Sequence, residues 1–191
     1  MTEILHIVTG PSGSGKSEFC KQQTDWEYRL YNLDDWARSH GDVEDPRVRE
    51  SGWRAIVNQL HADMRDGLSP IALDHILDSR AIDEVVEPAR GYGYEVCLTV
   101  VCPGSAEVCV ERVDRRKKAG GHGRSPATVR QFYENALHVA AEASLICDTT
   151  NLVDSSGHGM ETVANIERFQ LNFLGDKRPH WVDRYFCMGR R

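Results

Sequence analysis

Short apolar runs alternate with longer amphipathic segments along this chain, and the alternation predicts strands and helices in turn. A short apolar run bounded by turn residues is typical of a buried strand, and such runs lie at residues 4–9, 28–33, 70–73, 94–101 and 145–147. Apolar residues that recur three or four positions apart predict helices at residues 16–23, 47–66, 81–90, 105–116 and 128–142. A last helix is predicted within residues 161–173, whereas residues 175–191 show no clear period.

The order of these elements predicts the fold class. Strands that alternate with helices form a parallel sheet with helices on both faces, which is an α/β fold of three layers. Ligands of such folds bind beyond the carboxyl ends of the strands. We expect residues 1–174 to form this domain and residues 175–191 to form a C-terminal extension.

The first predicted strand runs directly into a complete phosphate-binding motif of the pattern G-x-x-x-x-G-K-[ST]. Glycines let the backbone curl so that successive N–H groups point at phosphate oxygens, and the following helix adds its positive end. The motif predicts a P-loop fold with five parallel strands in the order 2-3-1-4-5, and ATP and Mg²⁺ as cofactors. We expect the lysine to reach the β- and γ-phosphates and the last serine to bind the metal. The motif residues are Gly10, Pro11, Ser12, Gly13, Ser14, Gly15, Lys16 and Ser17.

Composition narrows the partners that the domain can take. The 191 residues carry a formal net charge of −6, which argues against a broad surface for nucleic acid or anionic membranes. The amino terminus lacks the basic and apolar regions of a signal peptide, and no uncharged apolar run reaches the ~18 residues of a membrane span. The sequence therefore predicts a soluble cytoplasmic protein without a membrane partner.

The cysteines point to the same compartment. None of the six belongs to a C-x-x-C pair, and several lie inside apolar runs, as Cys97 does. Such a pattern is typical of buried thiols in a reducing compartment rather than of disulfides or a zinc site. No structural metal is expected.

Proteins with this P-loop are either phosphoryl-transfer enzymes or nucleotide-gated switches and motors. A guanine-specific switch carries N-K-x-D after a late strand, where this chain has Asp148-Thr149-Thr150-Asn151. A motor usually needs a longer chain and a strand that ends in adjacent acids. Neither the switch motif nor the motor features are visible in this chain, which favours a kinase. An ATP-binding regulator without catalysis is the non-enzymatic alternative.

Two adjacent carboxylates follow the second predicted strand, at Asp34 and Asp35. An acceptor hydroxyl attacks phosphorus better when a carboxylate orients it and accepts its proton. Asp34 is the first candidate for this base and Asp35 is the second. The other carboxylate is expected to cap the following helix or to contact the substrate.

A basic segment follows the fourth predicted strand. Six Lys or Arg residues lie from Arg112 to Arg124, and three glycines interrupt the end of this stretch. A glycine-hinged lid at about residues 117–127 would bring positive charge to the transferred phosphoryl group and exclude water. Arg112 and Arg124 are assigned to this catalytic role, whereas Lys117 and Lys118 are expected to form a solvated helix end.

The third predicted strand ends at Asp74 and His75. Asp74 is expected either to hold Mg²⁺ through a water or to bind the acceptor, and a plain turn residue is the third alternative. His75 and His122 are weaker candidates for substrate contacts, because a lone histidine is more often structural or exposed.

Three of these features together resemble the zeta-toxin family of P-loop kinases: residues 10–17, the N-x-D of residues 32–34, and the basic segment of residues 112–126. The resemblance covers roughly residues 4–150. Members of that family phosphorylate the 3′-hydroxyl of UDP-N-acetylglucosamine or related sugars, and some are held inactive by an antitoxin protein. What the resemblance implies for this chain is a base, a phosphate ligand and two lid cations, namely Asp34, Lys16, and Arg112 with Arg124.

Two related families leave the acceptor open. Chloramphenicol phosphotransferase is similar in the Asp after strand two, in the acidic end of strand three and in a late D-T-T, here Asp148-Thr149-Thr150. The kinase domain of phage polynucleotide kinase is similar at Tyr31-Asn32 followed by Asp34-Asp35, and in the Arg-bearing lid. The third strand of zeta toxins tends to end in Glu-Thr-Thr, whereas here it ends in Asp74-His75-Ile76. The expected acceptor is thus a small molecule with a hydroxyl group, with a nucleotide sugar first and another metabolite or antibiotic second. A nucleic-acid 5′-end comes third, because the chain is acidic.

Overall fold

The computed structural model describes residues 2–23, 28–75, 78–121 and 123–187. Within these residues, one sheet of seven strands forms the centre of the molecule, in the spatial order β2-β3-β1-β4-β5-β6-β7. The strands are β1 (Ile4–Thr9), β2 (Arg29–Asn32), β3 (Ile71–Asp74), β4 (Glu95–Cys102), β5 (Thr149–Asp154), β6 (Glu161–Glu167) and β7 (Gln170–Phe173).

Helices connect the parallel strands, as expected for an α/β fold. One of these connections contains a π-helical segment, Ile82–Val86, between two short α-helices. The α-helices are α1 (Lys16–Gln22), α2 (Leu33–His40), α3 (Pro46–Arg65), α4 (Ser79–Ala81), α5 (Glu87–Gly91), α6 (Ala106–Lys118), α7 (Pro126–Ala143) and α8 (His180–Phe186).

The first five strands are parallel, and the predicted order 2-3-1-4-5 is confirmed. β1 lies in the middle, with β3 on one side and β4 on the other. The register places Val8 of β1 beside Asp74 of β3, and Asp74 in turn beside Asn32 of β2. The carboxyl ends of three neighbouring strands therefore meet at one edge of the sheet, where the P-loop begins.

The predicted strand at residues 145–147 is wrong. These residues form a turn after α7, and Leu145 is half exposed to solvent. The strand follows immediately, as β5 (Thr149–Asp154), which pairs in parallel with β4. The apolar run is too short to distinguish a strand from the end of the preceding amphipathic helix.

The predicted helix within residues 161–173 is also wrong, because this segment forms the antiparallel hairpin of β6 and β7. The sheet therefore has seven strands rather than five. The hairpin turns at Arg168 and Phe169, which adopt positive φ angles of 50° and 66°. Tight hairpin turns with two positive φ angles usually contain Asn or Gly. Since neither residue type is present, the sequence carries no ordinary hairpin signal.

The carboxy-terminal segment contributes to the core, although its sequence shows no clear period. Its helix α8 buries four large side chains in the main hydrophobic cluster: Trp181, Val182, Tyr185 and Phe186. Their spacing gives an apolar stripe, but a helix of seven residues is too short for the stripe to stand out from its flanks. α8 packs against α7.

α3 supplies the longest amphipathic face of the fold. The predicted apolar positions of this helix, from Trp53 to Met64, are buried against the sheet core. Helix α2 follows β2 directly and carries both candidate carboxylates, Asp34 and Asp35, in its first turn. Among the described residues, no helix is long and apolar enough to cross a membrane.

Candidate functional site

The P-loop follows β1 and packs tightly against the neighbouring parts of the fold. Gly10, Gly13 and Gly15 adopt positive φ angles of 142°, 84° and 102°. A Cβ atom on Gly10 would lie 2.0 Å from the carbonyl oxygen of Val101, and one on Gly13 would lie 2.8 Å from the carbonyl oxygen of Cys109. Glycine is therefore required both for the backbone conformation and for the close approach of β4 and α6.

Lys16 is held over the loop that it belongs to. Its Nζ atom donates to the carbonyl oxygens of Gly10 and Pro11, at 3.0 Å and 3.1 Å. Burial lowers the pKa of Lys16, and the nearby carboxylates of Asp74 and Asp34 oppose this shift. The ammonium group thus lies between the phosphate cradle and both candidate functional carboxylates.

Ser17, the last residue of the P-loop, forms a polar pair with Asp74 at the end of β3. Ser17 Oγ donates to Asp74 Oδ2 at 2.8 Å, and Asn32 Nδ2 donates to the same oxygen at 2.7 Å. The Asp74 residue is only 4% exposed, and burial raises the pKa of its carboxyl group, against the effects of Lys16, Ser17 and Asn32. Asp74 is thus tied directly to the P-loop serine.

These oxygen atoms fit Mg²⁺, which prefers hard oxygen ligands and keeps several waters. Among the described residues, no group of three or more His, Cys, Asp or Glu side chains could hold a metal. A magnesium ion at this place would therefore use the Ser17 hydroxyl and the Asp74 carboxylate, with nucleotide phosphates and water as its other ligands. This is the usual arrangement in sites that bind a metal together with ATP.

Asp34 stands in the first turn of α2 and is paired with Arg49 of α3. Arg49 Nη1 donates to Asp34 Oδ1 at 2.8 Å and to the carbonyl oxygen of Val43 at 3.3 Å. The side chains of Arg49 and Asp34 are 26% and 39% exposed, so solvent and substrate can both reach the pair. Sequence analysis assigned no role to Arg49. The available signal was its place as the fourth residue of α3, because a cation is disfavoured near a helix N-terminus.

Asp35 is placed differently from its neighbour. Its backbone N–H is capped by Asn32 Oδ1 at 2.9 Å, and its carboxylate pairs with Arg38 at 2.6 Å. Both side chains of this pair are exposed. Asp35 is not among the residues that line the two cavities described below.

The two arginines assigned to the lid have different surroundings. Arg112 is fixed to the body of the fold, because its guanidinium donates to the carbonyl oxygens of Ser14 and Ser155 and to Ser155 Oγ. Arg124 precedes α7, and its guanidinium carbon lies 4.7 Å from the ring centre of Phe132. Both arginines line the cavity at the P-loop. Arg124 alone belongs to the predicted lid segment.

His75 is half-buried and directly follows Asp74 at the carboxyl end of β3. Its ring stacks on Trp53 with a centroid distance of 4.6 Å, and burial lowers its pKa to about 4. The side chain is therefore neutral at physiological pH. His122 lies outside the described residues.

Two adjoining cavities meet at this edge of the sheet. The first has a volume of about 290 Å³ and is lined by the P-loop, Ser17, Asp34, Asp74 and Arg112. The second has a volume of about 740 Å³ and lies between the α2–α3 region and α7. Five residues line both cavities and so form their common wall: Leu33, Glu44, Arg49, His75 and Arg124.

The second cavity has a mixed polar and aromatic lining that the sequence did not reveal. Phe132, Arg80 and the buried Trp53 all line it. The guanidinium carbon of Arg80 lies 5.5 Å from the ring centre of Trp53. Arg80 is also paired with Glu50 at 2.8 Å and with Glu84 at 3.5 Å. These residues come from three α-helices and the π-helical segment, so their proximity depends on tertiary packing rather than on any local motif.

A family model described as an AAA domain matches residues 5–138, which is more than half of the chain. The chain belongs to this family. No curated protein sequence is similar enough to count as a match. The P-loop kinase fold expected from the sequence is confirmed, and solved structures show the same architecture at low sequence identity.

Three of these solved structures are similar to this chain over most of its length. A structure of the PezAT chromosomal toxin-antitoxin system of Streptococcus pneumoniae has a TM-score of 0.66 at 11% identity, covering 98% of this chain and 79% of that one. A gluconokinase from Sinorhizobium meliloti gives 0.51 at 20% identity, covering 81% and 83%. A component of the Pnkp1/Rnl/Hen1 RNA repair complex gives 0.59 at 18% identity, covering 74% of this chain but only 46% of that one.

Proposed function

We propose that this protein is an ATP- and Mg²⁺-dependent kinase that transfers the γ-phosphate to a hydroxyl group of a small molecule. One observation carries the proposal. The cavity at the P-loop shares a wall with a larger cavity, and the carboxylate of Asp34 stands in the smaller cavity, paired with Arg49 of that wall. A nucleotide in the first cavity and an acceptor in the second would meet at this carboxylate.

The residues of the site have separate roles in the proposed reaction. The P-loop N–H groups and Lys16 bind the phosphates, and Arg112 and Arg124 stabilise the negative charge on the transferred group. The acceptor oxygen forms a bond to the γ-phosphorus as the bond to the β,γ-bridging oxygen breaks, and ADP leaves with the bonding electrons. Asp34 orients the acceptor hydroxyl and takes its proton. A bound Mg²⁺ supplies charge neutralisation on the β- and γ-phosphates.

A nucleotide sugar such as UDP-N-acetylglucosamine is the acceptor that we favour. Two features support it: the zeta-toxin-like arrangement of the P-loop, Asp34 and the basic segment, and a second cavity of about 740 Å³, within the size range of pockets for such ligands. An antitoxin protein as a partner and a cytoplasmic location belong to the same proposal. The similarity to a toxin-antitoxin system supports the first of these two.

Other acceptors are ranked below it. A small metabolite or antibiotic fits the same cavity, and the similarity to a gluconokinase favours this alternative. A polynucleotide 5′-end is disfavoured by the net charge of −6, although an RNA repair component shares the fold. A non-catalytic ATP-binding regulator would not need a carboxylate at the junction of two cavities.

The test is phosphoryl transfer from γ-labelled ATP in the presence of Mg²⁺, with UDP-N-acetylglucosamine, a metabolite extract and a 5′-hydroxyl oligonucleotide as separate acceptors. Asp34→Asn should lower transfer by about 10²–10⁴-fold, the usual contribution of a general base, while ATP binding persists. Asp35→Asn distinguishes the two carboxylates and should have a small effect. Bound ATP with no labelled product from any acceptor would favour the regulator.

A further inference from the structure

Arg49 lies between the two cavities. Among the described residues of α3, only Arg49 lines the P-loop cavity, and it also lines the larger cavity together with Glu50 and Trp53. Arg49 therefore borders both cavities, the one proposed for the nucleotide and the one proposed for the acceptor. The pairing with Asp34 places it on the carboxylate that the proposed reaction needs.

The hydrogen bonds of Arg49 leave part of its donor capacity for a ligand. Both bonds that it makes to described residues start from Nη1, one to Asp34 Oδ1 and one to the carbonyl oxygen of Val43. A guanidinium carries five N–H donors in a rigid planar fork. The donors on Nε and Nη2 therefore have no protein acceptor among the described residues, in a side chain that is 26% exposed.

The other charged groups of the larger cavity are arranged so that Arg49 and Arg124 stand out. Arg80 is already neutralised by Glu50 and Glu84. Arg124 has an aromatic partner, Phe132, and no carboxylate partner in the described segments. Both Arg49 and Arg124 lie in the common wall of the two cavities. An oxygen-rich or anionic group would therefore be bound next to the site of transfer rather than at the far end of the cavity.

We infer that Arg49 is a positioning residue that couples acceptor recognition to the base. It holds Asp34 through Nη1 and binds an oxygen of the acceptor, from a hydroxyl, carboxylate or phosphate adjacent to the reacting hydroxyl, through its remaining N–H groups. An acceptor without such a neighbouring oxygen would bind but would not align with Asp34. The inference rests on the proposed kinase function and specifies the class of acceptor for it.

The charges around the pair are consistent with this role. Glu44 lies in the same common wall, but among the described residues no ion pair joins it to Arg49, whose carboxylate partner is Asp34. The remaining charged or titratable groups that line the P-loop cavity around Asp34 are Lys16, Glu18, Asp74, His75, Arg112, Arg116 and Arg124.

The test compares Arg49→Gln, Arg49→Lys and the matched control Arg54→Gln. Arg54 lies on the same helix, pairs with Glu50 and lines neither cavity. Arg49→Gln should raise the acceptor KM by about 10-fold or more and lower kcat by about 10–100-fold. The reason is that the charged hydrogen bonds to Asp34 and to the acceptor oxygen are both lost. The Kd for ATP should change by less than about twofold, because no bond of Arg49 reaches the P-loop.

Arg49→Lys separates charge from geometry. A lysine keeps the positive charge but lacks the planar fork, so it should recover most of the acceptor KM and little of kcat. Thermal unfolding of each variant identifies a loss that is only structural. If Arg49→Gln and Arg54→Gln behave alike while the wild type transfers phosphate, the positioning role is wrong. If the wild type transfers phosphate to no acceptor, the kinase proposal itself fails, and the role of Arg49 fails with it.

Discussion

Asn32 joins the two halves of the site, because its Nδ2 atom donates to Asp74 Oδ2 at 2.7 Å while its Oδ1 atom accepts from the N–H of Asp35 at 2.9 Å. Through the first bond it touches the carboxylate that is paired with the P-loop serine. Through the second it caps the helix that carries Asp34. One amide side chain therefore links Asp74 to the helix that carries Asp34, the proposed base.

The two bonds of Asn32 can be separated by substitution. Asn32→Ser keeps a helix-capping oxygen but removes the amide donor to Asp74, whereas Asn32→Ala removes both. We expect the alanine variant to be less stable than the serine variant by about 1 kcal/mol, the usual value of an N-cap. Both should lose phosphoryl transfer to a similar extent, which urea unfolding and transfer assays would show. Full activity in the serine variant would contradict the role of the Asp74 contact.

Gly10 should be the least replaceable residue of the P-loop. Gly10→Ala adds a Cβ atom 2.0 Å from the Val101 carbonyl oxygen at a φ of 142°, so the unfolding free energy should fall by about 3 kcal/mol or more. Gly67→Ala is the control, because Gly67 has a φ of 70° with no atom near an added Cβ. It should cost about 1 kcal/mol, from backbone strain alone. Equal losses in urea unfolding would rule out the steric explanation.

The stability of the protein should depend on pH through His6. Burial lowers its pKa from 6.5 to about 4, so the folded state keeps the ring neutral while the unfolded chain binds a proton below about pH 6.5. The unfolding free energy should fall between about pH 6.5 and pH 4, by up to about 3 kcal/mol from this group. His6→Gln should make that part of the profile shallower in urea unfolding measured across this range, and His75, whose pKa burial also lowers to about 4, should supply the slope that remains. Parallel profiles for the variant and the wild type would contradict the assignment.

Lys177 should contribute to stability although it is partly exposed. It pairs with Asp154 at 2.6 Å, and the Asp154 side chain is only 2% exposed. Lys177→Met leaves that carboxylate with its bonds to Ser156 but without a cation, so we expect a loss of about 1–2 kcal/mol. Lys118→Met removes an exposed pair with Asp114 and should cost less than about 0.5 kcal/mol. A similar small effect at both positions would show that solvent screens the Asp154 pair.

The parts of the fold that a local pattern specifies were predicted from the sequence. The P-loop is a continuous motif between a strand and a helix, and the buried face of α3 follows from its spacing. The order of the parallel strands followed from the P-loop fold that this motif indicates. Each of these features depends on residues that are close in the chain.

The remainder depends on contacts between distant residues. The pairing of Arg49 with Asp34 joins two helices, and no spacing rule connects a half-buried cation on one helix to a carboxylate on another. The second cavity is enclosed by helices that are far apart in sequence. The β6–β7 hairpin was missed because Arg168 and Phe169 replace the usual turn residues, so tertiary packing of the strands decides the conformation.

The two antiparallel strands make β5 an interior strand, paired with β4 on one side and β6 on the other. Ser155, directly after β5, donates to the carbonyl oxygen of Ser14 at 2.7 Å and accepts from Arg112. Hydrogen bonds therefore hold the P-loop side of the site before any substrate arrives, whereas the second cavity lies between separate helices that include α3, α4 and α7. In kinetic terms, we expect ATP to bind a ready-made site at a rate set by diffusion, and acceptor capture to be the slower step that requires rearrangement.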